Sequence, residues 1–237
     1  MIEHKIIPPL SIEWWSYNLI TLAVIIFILI TGRKMVSEKN KNILTISIAS
    51  VFIFEWIFMD IYHLTTGLWS LNDSLPLHLC GLMWLLSIYV FLTKKQWGFE
   101  MLLFIGMAGG IHSLLTPELT HGDNLLHKID FFVGHGGLLL APLYAILVLN
   151  MWPRKNAWWK SFLKLQPIVL IVFVINTLLH SNYMYLSSPP IANNPLIPPS
   201  DILLGQWPYY ILIFEICVLL HCGLINIPFW VKNNYSQ

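Results

Sequence analysis

Apolar positions in this chain gather into long uninterrupted runs. They do not alternate as in a half-buried strand, nor do they form the narrow stripe of a soluble amphipathic helix. Crossing about 30 Å of hydrocarbon takes roughly 20 helical residues. Runs of that length fall near 14–31, 43–62, 77–93, 98–115, 131–150, 165–184 and 209–230. The pattern predicts an all-α fold: one polytopic membrane bundle over residues 1–237, with seven transmembrane helices. Glycine, histidine and proline interrupt the fourth and fifth runs. The first run follows Met1-Ile-Glu-His-Lys5 and ends in Gly32-Arg33-Lys34 with no small-residue cleavage site, so it reads as a retained span and not as a signal peptide.

Composition agrees with the pattern. The chain is 57% hydrophobic and 11% charged, too few charges to cover a soluble surface. The net charge of +1 offers no surface for nucleic acid, and no protein partner is implied. Of the 13 lysines and arginines, all but Lys5 and Lys128 fall on one side of the expected bilayer. By the positive-inside rule this puts the N-terminus outside and the C-terminus in the cytoplasm of a multi-pass cell-membrane protein. Tryptophans such as Trp14, Trp97, Trp152 and Trp230 fall at span ends, at the headgroup level that indole rings favour. The segment 186–208 holds six prolines and no lysine or arginine; it either covers the outer mouth of the bundle or serves as a plain connector.

This orientation brings the intramembrane polar residues to one level. Asp60 and His63 close the second span and share a face. His78 and Cys80 open the third span, His112 lies near the outer end of the fourth, and His135 opens the fifth. Asn176, His180 and Tyr183 form an outer stripe on the sixth, and Glu215 sits in the outer half of the seventh. Ionisable groups in a bilayer are costly and face an interior or a cavity, so a single layer of them points to a site. The alternative for each histidine is a hydrogen bond between helices.

Cys80 follows Leu75-Pro76, a sequence that suggests a helix start with proline in its first turn. The positive end of the helix dipole there favours a thiolate, and a histidine from a neighbouring span, His135 or His112, would complete a nucleophile–base pair. The competing reading is an inert packing cysteine, the one given to Cys217 and Cys222. The glycines of Gly134-His-Gly-Gly137 let either a helix or a lipid chain approach the backbone.

Four segments carry a resemblance to a known family: Leu75-Pro-Leu-His-Leu-Cys80, Gly110-Ile-His-Ser-Leu-Leu-Thr-Pro117, Val133-Gly-His-Gly-Gly137 and Asn182-Tyr-Met-Tyr-Leu-Ser-Ser-Pro189. They resemble the YwaF family of bacterial integral membrane proteins, whose eukaryotic relative is transmembrane protein 164, an acyltransferase. The resemblance implies acyl transfer on membrane lipids, with Cys80 as nucleophile, His135 as the histidine and His112 a second candidate. Asp60 or Glu215 would orient a histidine. Asn176, His180 or the Gly136 N–H would stabilise an oxyanion. No cofactor is implied.

Two rivals use the same residues. A zinc-dependent hydrolase of the ceramidase type would draw its ligands from His63, His78, His112, His135 and His180, with Asp60 and Glu215. A transporter or small-molecule receptor would use the polar layer as a binding site, with Pro142 and the paired glycines breaking helices.

Overall fold

The computed structural model describes residues 5–190 and 197–235, with side chains placed through 231. Its architecture is all-helical, apart from a pair of two-residue strands. Seven helices follow in order: α1 (Ile12–Lys34), α2 (Glu38–Thr66), α3 (Leu79–Thr93), α4 (Gln96–Leu115), α5 (Leu125–Leu147), α6 (Ala157–Leu179) and α7 (Tyr209–Tyr235). Six of them are long and apolar enough to cross a membrane; α3, with 15 residues, is the short one. At 1.5 Å per residue it reaches only about 22 Å. The protein is therefore a multi-pass membrane protein, with α3 an apolar helix below the usual spanning length.

The central helices are α4 and α5. In their apolar windows 61% and 50% of residues are buried, against 11% in α1 and α7 and 17% in α6, which turn most of their surface outward. α5 packs against α1, α3 and α4; α2 rests on α3, and α6 pairs with α7 beside α4. Glycine sets these approaches. A Cβ on Gly136 would stand 2.5 Å from the Thr21 methyl of α1, and one on Gly137 would stand 2.8 Å from Phe52 Cζ and collide with the ring of Trp84. Of the two readings of this glycine run, close helix packing holds at Gly136 and Gly137. Gly134 meets nothing within 4 Å.

Several boundaries differ from the hydropathy reading. α5 starts six residues earlier than expected, because Asn124 caps it by accepting the His127 N–H at 2.8 Å. His135 therefore lies in mid-helix and does not open the span. α6 is shifted toward the N-terminus and ends at Leu179, where His180 takes a left-handed conformation (φ 54°). The expected stripe of Asn176, His180 and Tyr183 is thereby broken, and Tyr183 stands in a separate 3₁₀ turn. Pro76 precedes α3 instead of opening it; His78 is the N-cap.

The first strand (β1, Lys5–Ile6) pairs antiparallel with β2 (Glu118–Leu119) in the loop between α4 and α5. Lys128 anchors that loop, bonding Asp123 at 2.5 Å and Glu13 of α1 at 2.7 Å. At the opposite end of the bundle the buried Glu100 carboxylate receives the Arg154 Nε at 2.8 Å, its Nη2 at 2.7 Å and its backbone N–H at 3.0 Å.

Candidate active site

A cavity of about 560 Å³ opens among α2–α7, at the end of the bundle that bears the β1–β2 pair. Of the residues singled out in the sequence, Asp60, His63, His78, Cys80, His112, His135 and Glu215 line it. Asn176, His180 and Tyr183 do not. Asn176 is buried and fully used in pinning the turn after α6: its Nδ2 donates to Tyr183 O at 2.8 Å, and its Oδ1 accepts from Tyr183 N and Ser181 Oγ. The Tyr183 hydroxyl in turn donates to Leu71 O and accepts the Leu75 N–H, while His78 Nδ1 accepts the Met184 N–H at 3.2 Å. These groups fix the walls of the cavity. Residues 191–196 of the proline-rich segment, Pro195 among them, lie outside the described residues, but Leu186 and Pro190 beside them reach the lining.

Cys80 stands in the first turn of α3, level with Gly109 of α4. A Cβ added at Gly109 would touch the Cys80 sulfur at 3.5 Å. Since α4 continues six residues beyond Gly109, the thiol sits about 9 Å below the end of that helix. The shortness of α3 creates this recess. Cys80 Sγ lies 3.8 Å from Ser113 Oγ, and the His135 imidazole lines the same cavity, close enough for an electrostatic interaction with the thiol.

The backbone fixes which His135 nitrogen is available. Nδ1 lies 2.7 Å from the Phe131 carbonyl oxygen. A carbonyl only accepts, so Nδ1 carries the proton and Nε2 keeps its lone pair. His78 caps α3 without a side-chain bond, and the N–H groups of Leu79, Cys80 and Gly81 have no acceptor among the described residues. Unpartnered first-turn donors of this kind suit an anion or a developing oxyanion. This role does not fall to Gly136, whose N–H belongs to the mid-helix ladder of α5.

Sequence reasoning passed over several lining residues. His221 of α7 pairs with His112, Nε2 to Nε2 at 2.9 Å. His121 and His127 surround His63, the first stacked on it at 4.3 Å and the second with its Nε2 at 3.3 Å. Burial and these two neighbours push the His121 imidazole down to about 4. Glu55 of α2 and Asp130 of α5 also line the cavity. Ser113, the partner of Cys80, was also missed. The signal for Glu55 and His221 was present, since each is an ionisable residue inside an apolar run, whereas Asp130 falls just before the fifth run.

The proposed zinc ligands do not converge. His63 belongs to the cluster with His121 and His127, His112 to the pair with His221, His135 to Cys80, and His180 to the end of α6. Among the described residues no group of three or more histidine, cysteine, aspartate or glutamate side chains is arranged to hold a metal ion.

Comparison with known families matches residues 9–226 to the TMEM164 family. The chain belongs to the TMEM164 family. The match covers nearly the whole bundle, from the residues before α1 to the last turns of α7, so every cavity residue named above falls inside it. Neither the curated proteins nor the solved structures contain a significant match to the chain.

Proposed function

We propose that this TMEM164-family protein is a lipid acyltransferase or lipid hydrolase of the cell membrane, working through Cys80 and His135 at the extracytoplasmic side. The observation that carries the reading is the 2.7 Å contact between His135 Nδ1 and the Phe131 carbonyl oxygen. The carbonyl holds the Nδ1–H, which leaves the Nε2 lone pair for the neighbouring thiol. The distribution of lysine and arginine supports the side of the membrane.

In this scheme His135 Nε2 takes the Cys80 proton, and the sulfur attacks an ester carbonyl of a membrane lipid. The N–H groups of Cys80 and Gly81 receive the developing oxyanion. Collapse expels the alcohol, protonated by His135, and leaves an acyl-thioester on Cys80. Water or a second lipid hydroxyl then takes the acyl group. The recess beneath the end of α4 suits a substrate that enters from the bilayer with its ester near the headgroup level.

The test is intact-protein mass spectrometry after incubation with mixed phospholipids, comparing wild type with Cys80→Ser. A hydroxylamine-sensitive acyl mass on the wild type alone is the expected result. Lipid turnover that survives in Cys80→Ser would sink the scheme.

A further inference from the structure

The His112–His221 pair is too regular to be a chance contact between two helices. His221 Nδ1 lies 2.6 Å from the Cys217 carbonyl oxygen, one turn back on α7, so Nδ1 carries the hydrogen and Nε2 is the lone-pair nitrogen. That lone pair faces His112 Nε2 at 2.9 Å, with the two rings edge to face at 73°. His112 must therefore carry its proton on Nε2, and its Nδ1 is left as a bare acceptor. No hydrogen-bond partner for that nitrogen exists among the described residues, and it is not one of the sealed-off buried polar atoms. His112 lines the cavity.

Its position relative to Cys80 follows from helix geometry. Gly109, His112 and Ser113 are i, i+3 and i+4 on α4 and share one face. Gly109 abuts the sulfur and Ser113 Oγ stands 3.8 Å from it. His112 thus occupies the same wall, one helical turn beyond Gly109. The α4–α7 seam is held from below by a π-helical turn, Leu102–Gly106, whose Phe104 carbonyl accepts the thiol of Cys222, the residue after His221.

We infer that His112, held in one tautomer by His221, is a second base serving the acyl acceptor, separate from the base that serves Cys80. This inference rests on the Cys80 reading above. In the second half of the reaction a hydroxyl group, from a lysolipid or from water, attacks the Cys80 thioester. Its proton passes to His112 Nδ1 as the O–C bond forms. The tetrahedral intermediate breaks its C–S bond, and the departing thiolate recovers the proton from His112 through the Ser113 hydroxyl. Thioester and alcohol become ester and thiol, with no other reactant needed. His221 does not touch the acceptor. It is a positioning residue that fixes which nitrogen of His112 is free.

The test separates the two half-reactions in full-length protein reconstituted in phospholipid nanodiscs. Acyl-Cys80 is formed from labelled phospholipid, chased with lysophospholipid, and followed by intact mass. His112→Ala is expected to acylate within a few-fold of wild type and to lose the acyl group about 10²-fold more slowly, the usual contribution of a general base, so that adduct accumulates. His221→Ala should trap adduct in the same way, and His221→Gln should relieve the trapping, because its amide oxygen can accept the His112 Nε2–H. A His112→Ala protein that shows no adduct, or releases it at the wild-type rate, overturns the inference. Equal trapping in His221→Gln and His221→Ala overturns the positioning role. Failure of the underlying Cys80 reading looks different, since turnover would then persist in Cys80→Ser.

Discussion

Two glycines three residues apart on α5 should respond to the same substitution with opposite signs. At Gly137 a methyl group would stand 2.8 Å from Phe52 Cζ and closer still to the indole of Trp84. Neither ring has room to yield: the two stack at 3.9 Å, and they are only 4% and 7% exposed. Overpacking of this kind costs about 1–3 kcal/mol, and a clash against two locked aromatic rings belongs at the upper end. Alanine returns roughly 0.5–1 kcal/mol of helix propensity over glycine. Gly137→Ala should therefore lose about 2 kcal/mol. At Gly134 a methyl group meets nothing within 4 Å, so only the propensity remains, and Gly134→Ala should gain about 0.5–1 kcal/mol.

For a chain of this size 1 kcal/mol moves Tm by roughly 2–4 °C. Thermal melts in detergent micelles, read by tryptophan fluorescence, should then show a fall of about 4–8 °C for Gly137→Ala and a small rise for Gly134→Ala. The steric cause can be isolated with Trp84→Phe, which shortens the ring at the point of collision. In a double-mutant cycle it should recover part of the loss only when Gly137 is alanine. Equal shifts for the two alanines, or no coupling to residue 84, would refute the placement of α3 against α5.

Three further outcomes follow from particular contacts. Asn176→Ala strips partners from Tyr183 N–H and C=O and from Ser181 Oγ at a site 2% exposed, and should cost about 2–4 kcal/mol in a chemical denaturation series, whereas a catalytic role alone would leave stability unchanged. Arg154→Met leaves the Glu100 carboxylate buried with Gln96 as its remaining side-chain donor; because the Arg154 side chain is 61% exposed the loss should be roughly 1–3 kcal/mol, less than for a fully buried pair, and Glu100→Gln in the same background should recover much of it. His121 is held near 4 by burial and by His63 and His127, below the ordinary 6.5, so the unfolded chain binds its proton first as pH falls. Nothing is lost at pH 7, and about 1–2 kcal/mol, allowing for partial exposure, should disappear between pH 6.5 and 4; melts of wild type and His121→Gln across that range should converge or cross, and parallel curves would contradict it.

The helix count and the place of Cys80 in the first turn of a helix could be read in the sequence because both rest on local signals: the length of apolar runs, and a proline just ahead of a helix start. What escaped depends on where chains meet. His221 stands out locally as an ionisable residue in an apolar run, but nothing local gives it a partner until α7 lies against α4 and brings it to His112. Ser113 is an ordinary helical serine until Cys80 arrives beside it. The end of α6 was misjudged for a related reason. Hydropathy continues through His180, but the Asn176 side chain binds the Tyr183 N–H and carbonyl and the Ser181 hydroxyl, and so holds the chain in a turn where the helix would have continued.

The interruptions in the fourth and fifth runs have a single physical origin. Hydropathy is highest where a helix must satisfy lipid all round, and the outward-facing α1, α6 and α7 are of that kind. α4 and α5 are the most buried spans, so they are released from that demand and constrained by another: they must let neighbours approach closely and must carry the polar groups. Gly110, Gly136 and Gly137 serve the first need, since a Cβ at each would press on another helix. His112, Ser113, Asp130 and His135 serve the second, since each lines the cavity. The residues that made these spans look weakest as membrane helices are thus the ones that place them at the centre and give the cavity its chemistry. Replacing them with leucine would improve the hydropathy of both spans, while closing the cavity and prising the bundle apart.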